Sequence, residues 1–417
     1  MDKISAFPHH YLVCEDGICQ GIFEKLPEKY KELILYDYGN RLIIPGLTDL
    51  HIHAPQFAFR GMGMDLELLD WLDQQAFPEE AKYEEEAYAR KAYTIFADAL
   101  KKSATTRAVI FATRHEKATE LLMDLLEDTG LITYVGKINM DQSAPEGLKE
   151  PSAADSAFRT FGWMNHISGK YRYTRPILTP RFIPSCSREL LEELRQVRMT
   201  YDLPVQSHLS ENPEEIELVK NMFPEAKFYG DCYDRYDLFG NRPDGEFKFT
   251  GRTVMAHCVY STDEEAELIR RNGVIVAHCP ASNMNLSSGI APIRKYLDMG
   301  IRVGLGSDVA GGQTESMFRA MTDAIQVSKM YWRLVDKKAK PLTFEEAFYM
   351  ATVGGGWFFG NVGRFEEGYA FDALVLNDER LAHPQQLSLN QRLERFVYLG
   401  GDLFGIEAKY VAGRNIV

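Results

Sequence analysis

The sequence predicts an α/β fold, a (β/α)8 barrel of the TIM type with a small β-sandwich domain formed from both termini. Three observations predict it. Eight apolar, β-branched segments alternate with longer amphipathic stretches, several of these segments end in histidine or aspartate, and both ends of the chain are short and turn-rich. We expect the barrel to span residues 47–365 and the small domain to combine residues 1–46 with 366–417.

The predicted barrel strands are continuous apolar runs, as expected for parallel strands that are buried on both faces. They lie at residues 42–50, 105–113, 131–139, 176–183, 203–208, 253–257, 274–278 and 302–307. Helical patterns lie between strands at 190–199, 212–222, 263–271 and 292–297. The connection after the first strand is long and carries two helix candidates, at 66–75 and 79–102. Insertions after a barrel strand lie on the catalytic face, so we expect this connection to border the active site.

The composition excludes several classes of function. The 417 residues include 47 lysines and arginines against 60 aspartates and glutamates, which gives a formal net charge of −13. This acidity opposes binding to nucleic-acid backbones. No stretch approaches 18 apolar residues, the N-terminus lacks a signal-peptide pattern, and six cysteines are scattered without C-x-x-C spacing. We therefore expect a cytoplasmic protein with free thiols and neither a nucleic-acid nor a membrane partner.

Five residues at strand ends predict a metal site. His51 and His53 end an apolar segment, and side chains at i and i+2 project to the same side of an extended strand. His208, His257 and Asp308 each end a later barrel strand. The carboxyl ends of barrel strands converge on one face, so we expect these side chains to meet there. Imidazole and carboxylate are typical zinc ligands, and four of the five supply a complete set.

Glu211 lies three residues beyond His208, where a turn that leaves the strand can bring its carboxylate beside the metal. In that position it would carry protons without being a ligand. Alternatively, Glu211 is a carboxylate in the first turn of the next helix, where the helix dipole stabilises it. The sequence leaves both interpretations open.

These motifs resemble the metal-dependent amidohydrolase superfamily. The resemblance rests on residues 45–53, on His208 and His257, and on residues 304–308, and it spans nearly the whole chain. More specific motifs are similar to the guanine-deaminating family within it; they lie at 53–56, 65–71, 77–79, 179–182, 206–212, 278–283 and 307–312. The resemblance implies a hydrolase that converts guanine to xanthine and ammonia, with one zinc ion (iron is the second candidate) and a homodimeric assembly.

The resemblance also implies roles for individual residues. It implies four metal ligands, namely His51, His53, His208 and Asp308. It implies that the purine contacts Gln56, Arg181, Phe182, His208, Glu211 and Asp308. It implies three catalytic residues, of which Glu211 shuttles protons, His257 orients the metal-bound hydroxide, and Asp308 touches both metal and hydroxide.

Two alternatives stay open. The same ligands with a different pocket would give a one-metal amidohydrolase that deaminates another heterocycle of the cytosine, pterin or triazine type. A barrel that serves only as a scaffold would be expected to have lost a ligand or the shuttle, and all are present.

The cysteine-ligated zinc deaminases are excluded because their H-x-E and P-C-x-x-C arrangement is missing. One metal is favoured, because Arg181 and Phe182 stand where a second metal would need a bridging ligand.

Overall fold

The computed structural model describes residues 3–243, 245 and 247–417. Near the N-terminus, β1 (Tyr11–Glu15) and β2 (Ile18–Phe23) form an antiparallel hairpin, and β3 (Leu42–Pro45) precedes the barrel. Among the described residues the barrel strands are β4 (Leu47–His53), β5 (Thr105–Phe111), β6 (Ile132–Gly136), β7 (Ile138–Asn139), β8 (Thr174–Pro176), β9 (Thr179–Pro180), β10 (Val205–Leu209), β11 (Thr253–His257), β12 (Ile275–His278) and β13 (Val303–Leu305). The last strands are β14 (Ala373–Leu376), β15 (Ile406–Val411) and β16 (Arg414–Asn415).

The barrel strands fill the eight positions of a closed barrel, because β6 with β7, and β8 with β9, each share one position. Parallel ladders join neighbouring strands in the order β4, β5, β6, β8. A second set joins neighbouring strands in the order β10, β11, β12, β13. A bridge between Leu178 and Val205 connects the two sets on one side. On the other side, the backbone N–H of Asp308 donates to the carbonyl of His51 at 2.8 Å. The predicted (β/α)8 barrel is confirmed.

The first predicted strand is wrong in one respect, since the apolar run at 42–50 belongs to two sheets. Leu42–Pro45 pairs antiparallel with β14, whereas Leu47–His53 pairs parallel with β5 inside the barrel. Gly46 separates them, and a Cβ at that position would lie 2.4 Å from the Thr106 side chain. Leu42 and Ile44 before Gly46 are buried, and so is every residue of β4 after it, so buried apolar residues alone do not mark the division.

Helices lie between the barrel strands and after the last of them. In chain order they are α1 (Leu68–Trp71), α2 (Phe77–Ala81), α3 (Glu86–Lys102), α4 (Glu116–Thr129), α5 (Ala153–Ile167), α6 (Arg188–Tyr201), α7 (Pro213–Met222), α8 (Tyr229–Asp234), α9 (Asp263–Asn272), α10 (Pro280–Asn285), α11 (Ile293–Asp298), α12 (Met317–Leu334), α13 (Phe344–Tyr349) and α14 (Leu389–Tyr398). Single turns of 3-10 helix lie at Glu28–Tyr30, Pro55–Phe59, Lys82–Glu84, Ile183–Ser185 and Gly401–Leu403, and π-helical turns at Leu72–Ala76 and Met350–Gly354. Within the described part of the chain, none of these helices combines the length and apolar character needed to cross a bilayer.

The two ends of the chain form the small β unit that the sequence predicts. Its sheet has the antiparallel order β16, β15, β14, β3, and it also contains α14, which the strand pattern did not predict. Arg107 on β5 forms a buried ion pair with Asp372 at 2.5 Å and so links the barrel to this unit. The domain boundaries after residues 46 and 365 stay a prediction.

The long connection between β4 and β5 lies over the carboxyl ends of the barrel strands, as its length predicts. Leu68, Trp71 and Leu72 from this connection line a cavity at the barrel mouth. The single helix predicted at 79–102 is divided, because α2 ends at Ala81 and α3 begins at Glu86. Glu80 of α2 contacts Gln56 and Arg181, which line the cavity.

Candidate active site

Four side chains from three strands meet at the carboxyl-terminal mouth of the barrel. His51 and His53 lie on β4, His208 lies on β10, and Asp308 follows β13. His53 Nε2 lies 3.2 Å from His51 Nε2 and 3.2 Å from His208 Nε2. Asp308 Oδ1 lies 3.1 Å from His51 Nε2 and 3.5 Å from His53 Nε2. The fold thus brings together the four side chains that the sequence suggests as metal ligands.

The three imidazoles of this cluster are neutral. Burial is the main cause that lowers the pKa of His51, His53 and His208 well below the ordinary range of histidine. A neutral imidazole has an N–H on one ring nitrogen and a lone pair on the other. His208 Nδ1 donates to the backbone carbonyl of Arg181 at 2.6 Å, so its Nε2 lone pair faces His53. The cluster therefore presents lone pairs toward a common centre.

The separations between these atoms fit ligands that share one divalent cation. Zinc binds imidazole nitrogen and carboxylate oxygen at about 2.0–2.2 Å, so two ligands of one ion lie roughly 2.9–3.5 Å apart. The separations in the cluster run from 3.1 to 3.5 Å. A single N–H at His53 Nε2 would satisfy only one of its two imidazole neighbours, whereas a cation accepts a lone pair from all three. The residues present therefore fit a metal ion.

Cys279 brings a sulfur atom close to this cluster. It forms a second group of candidate ligand atoms with His51, His257 and Asp308, all within 4.8 Å of one another. Burial raises the pKa of the Cys279 thiol well above its usual range, and Sγ donates to the carbonyl of Ala277 at 3.5 Å. Its hydrogen bond to a carbonyl of β12, the strand that it follows, favours a packing role for Cys279 beside the site.

His257 and Glu211 stand next to the cluster. His257 Nδ1 donates to Asn283 Oδ1 at 2.9 Å, so its Nε2 lone pair faces the cavity. This Nε2 lies 3.4 Å from Glu211 Oε2 and 3.7 Å from Asp308 Oδ2. Burial and the nearby Asp308 raise the pKa of Glu211 well above the usual range of a carboxyl. A carboxyl with a raised pKa is suited to accept and hold a proton near neutral pH.

The two sequence interpretations of Glu211 differ in where its side chain points. Asn212 is the N-cap of α7, and its side-chain oxygen accepts the backbone N–H of Glu214 at 2.9 Å. Glu211 instead lines the cavity, where its Oε1 accepts a hydrogen bond from Ser288 Oγ at 3.3 Å. The geometry favours a carboxyl that faces the cavity over one that stabilises the helix.

A cavity that opens to solvent lies above the cluster. Its apolar lining comprises Leu68, Trp71, Leu72, Phe182 and Leu286. Polar groups away from the cluster are supplied by Gln56 and Arg181, both almost completely buried. Apolar walls with a few fixed polar groups are typical of a small-molecule site, and here they suit a flat ring with one polar edge.

Comparison with known proteins identifies the family of this chain. Residues 42–403, which include every residue of the cluster and of the cavity, match the amidohydrolase family. The chain belongs to the amidohydrolase family. This amidohydrolase is 34% identical over 439 residues to the guanine deaminase of Dictyostelium discoideum, with 99% of this chain and 95% of that protein covered. It is 37% identical over 404 residues to the guanine deaminase of Rattus norvegicus, with 94% and 85% covered.

A solved structure extends this similarity to the fold. The crystal structure of a guanine deaminase from C. acetobutylicum with guanine bound in the active site matches the amidohydrolase with a TM-score of 0.92. The two chains are 47% identical, and the match covers 98% of this chain and 94% of that one.

Buried side chains outside the cluster hold the reactive groups of the amidohydrolase in place. Asp49 Oδ1 accepts the backbone N–H of His51 at 3.1 Å and that of Ser307 at 3.0 Å, and so joins the two segments that carry His51 and Asp308. His257 and Asp308 have positive φ angles of 71° and 48°. Such angles are uncommon for residues with a side chain and persist where the surrounding structure enforces them, often at active sites.

All nine site residues suggested by the sequence surround one cavity. Eight of them line it: His53, Gln56, Arg181, Phe182, His208, Glu211, His257 and Asp308. The ninth, His51, contacts His53 and Asp308 beside the cavity. The sequence analysis missed Ser288, Asn283 and Glu80. For Glu80 there was a signal, since it shares a helical face with the buried apolar residues Ala76, Phe77 and Tyr83.

Proposed function

We propose that this amidohydrolase is a guanine deaminase, which hydrolyses guanine at C2 to give xanthine and ammonia. One observation carries the proposal: a single cavity is lined by His53, His208 and Asp308 of the cluster and also by the donors of Arg181 and Gln56. The guanine deaminases named above, one with guanine in its active site, support the same substrate.

We assign one zinc ion to His51, His53, His208 and Asp308, whose mutual separations fit a shared cation. When bound, zinc supplies a Lewis acid that makes water a strong nucleophile at neutral pH. His208 is held for this task by its Nδ1 hydrogen bond to the Arg181 carbonyl. Such a bond fixes both the tautomer and the orientation of a ligating imidazole.

Glu211 is the residue that moves protons in this proposal. It accepts the proton that water loses on attack at C2, delivers it to ring N3, and then helps to protonate the departing amine. Ser288 holds one carboxylate oxygen at 3.3 Å, which leaves the other, Oε2, toward His257. His257 faces both Glu211 and Asp308 with an unprotonated Nε2, so it orients the attacking water as a hydrogen-bond acceptor.

Arg181, Gln56 and Phe182 recognise the ring. The guanidinium of Arg181 offers paired donors that match the O6 and N7 acceptors of guanine. Phe182 lines the cavity with its ring centre 6.4 Å from that of His208, and we assign it to cover a purine face. Adenine carries an amino donor at position 6, so it would set donor against donor at Arg181.

A panel of heterocycles tests the substrate. Purified, zinc-loaded protein is expected to release ammonia from guanine and to form xanthine, with less release from cytosine, pterin and triazine substrates and little from adenine. The control is the same protein after removal of its metal, which should be inactive until zinc is restored. Strong activity on another ring with little on guanine would instead establish the second candidate, a one-metal deaminase of that heterocycle.

Arg181→Met tests the recognition of O6. The variant keeps the apolar stem but loses the donors, so KM for guanine is expected to rise roughly 10- to 100-fold, the usual worth of hydrogen bonds to a charged group. For 2-aminopurine, which has no O6, the rise should be several times smaller. Arg175→Met, at an exposed position on β8, is the matched control and should keep both KM values. Equal losses for the two purines would argue against contact with O6.

We also propose the finer features that the family resemblance implies, a homodimer and a cytoplasmic location. All six cysteines are free, which suits a reducing compartment. Light scattering of the purified protein and fractionation of cells would test the two proposals separately. Limited proteolysis near residues 46 and 365 would test the proposed division into domains.

A further inference from the structure

Glu80 is a buried carboxylate behind the polar edge of the cavity. It lies on α2, in the long connection after β4, and has no exposed surface. Its Oε1 accepts a hydrogen bond from Gln56 Nε2 at 2.9 Å, and its Oε2 accepts one from Arg181 Nη1 at 2.5 Å. Each of its two oxygens thus holds a different side chain of the ring-binding edge.

The contact with Glu80 fixes the orientation of the Gln56 amide. A carboxylate accepts hydrogen bonds, so the amide nitrogen of Gln56 must face Glu80. At the other end of the amide, Oε1 accepts the backbone N–H of Ala310 at 3.3 Å. A flipped amide would set oxygen against carboxylate and N–H against N–H. Gln56 therefore presents its remaining N–H and its remaining lone pair to the cavity in one fixed arrangement.

Arg181 is fixed in a similar way. Its guanidinium carbon lies 5.1 Å from the centre of the Phe77 ring, and Nη1 is its only side-chain nitrogen with a hydrogen-bond partner within the described residues. The other N–H groups remain available to a ligand in the cavity. The negative charge of Glu80 offsets the positive charge of Arg181, and both side chains are buried, so the pair offers donors with little net charge.

We propose that Glu80 is a positioning residue that sets the substrate class of the cavity. By fixing Gln56 and offsetting the charge of Arg181, it favours an uncharged ring with a carbonyl on its edge over an anionic ring of the same shape. The identity of that ring rests on the function proposed above. The role of Glu80 rests on its own contacts.

Glu80→Gln in the full-length, zinc-loaded protein tests this role. Glutamine keeps the shape but loses the charge and one acceptor, so either Arg181 or Gln56 loses its partner. KM for guanine is expected to rise about 10- to 100-fold while kcat changes a few-fold, because Glu80 does not touch the reacting atoms. Urate is an oxopurine that is anionic at neutral pH. The ratio of its inhibition constant to the KM for guanine should fall, since the charge of Arg181 is no longer offset.

Glu79→Gln is the matched control. Glu79 is the neighbouring buried carboxylate of α2, but it pairs with Lys82 at 2.7 Å and with the Tyr88 hydroxyl, away from the cavity. Glu79→Gln should leave the ratio of the inhibition constant for urate to the KM for guanine unchanged. If Glu80→Gln does not fold, Glu80→Asp provides the same test. Aspartate keeps the charge but withdraws it by one methylene, so the ratio of the inhibition constant for urate to the KM for guanine should change in the same direction by a smaller amount.

The outcomes separate the two proposals. A wild-type protein that does not deaminate guanine contradicts the proposed function. In that case, equilibrium binding of guanine and urate to the zinc-loaded Glu80 and Glu79 variants still tests the role of Glu80, because binding needs no turnover. A Glu80 variant that binds both purines like the wild type, or that weakens both equally, would overturn the inference.

Discussion

Glu211→Gln is expected to lose nearly all turnover of guanine while it keeps its metal. Glutamine fills the same space and can still accept the hydrogen bond from Ser288, but it cannot take up a proton. General acid and base catalysis contributes about 10²- to 10⁴-fold, and Glu211 is proposed to act in more than one proton transfer, so the fall in kcat should reach the upper part of this range. Steady-state kinetics together with metal analysis of the same sample measures both quantities.

Glu214→Gln is the control for this variant. Glu214 is an exposed carboxylate three residues further along the chain, in the first turn of α7. Its replacement should leave both kcat and zinc content unchanged. If Glu211→Gln kept near-normal turnover, the proton shuttle would have to be another group. If it lost its metal, Glu211 would be a ligand, which its position beside the cluster argues against.

Asp308→Ala is expected to lose both metal and turnover. Its Oδ1 lies 3.1 Å from His51 Nε2 and its Oδ2 lies 3.7 Å from His257 Nε2, so one carboxylate faces both the ligand cluster and the proposed path of the water. Because the variant loses both roles, kcat should fall by more than about 10³-fold, and zinc should be lost on dialysis against a weak chelator. Metal analysis before and after dialysis, with kinetics on each sample, measures the effect.

A control for Asp308→Ala must separate loss of the ligand from loss of the fold. Asp298→Ala removes an aspartate whose side chain is 67% exposed, and it should keep both metal and activity. The melting temperature of metal-free Asp308→Ala should match or exceed that of the metal-free wild type, because burial raises the pKa of Asp308 and makes it costly to fold without a cation. An Asp308→Ala protein that retains its zinc after dialysis would contradict the assignment of this ligand.

The barrel could be predicted from the sequence because its strands are buried on both faces and read as apolar runs. Its candidate metal ligands could be predicted because each ends such a run, as His208 ends the segment at 203–208. The split at Gly46 could not, since apolar residues occur on both sides of it and the change of pairing partner leaves no mark in the sequence. The division of the predicted helix at 79–102 was likewise hidden in a sequence that favours helix throughout.

The helical face of Glu80 indicates burial, but its role could not be assigned from the sequence because its partners are distant. Gln56 lies 24 residues before it and Arg181 lies 101 residues after it, and only the closed barrel brings the three together. An acidic residue in a helix is usually solvated, as the exposed run Glu84–Glu86 shows in the same connection. Ser288, which follows α10, and Asn283, which lies on it, are similar cases, because no sequence pattern marks the partner of a single serine or asparagine.

The most direct measurement is a crystal structure of zinc-loaded Glu211→Gln protein soaked with guanine, with diffraction recorded at the zinc absorption edge. We expect one anomalous peak between His51, His53, His208 and Asp308, with C2 of the purine turned toward that peak and O6 turned toward Arg181 and Gln56. A peak at any other position, or a purine whose O6 edge faces the metal while C2 faces Arg181, would contradict the account.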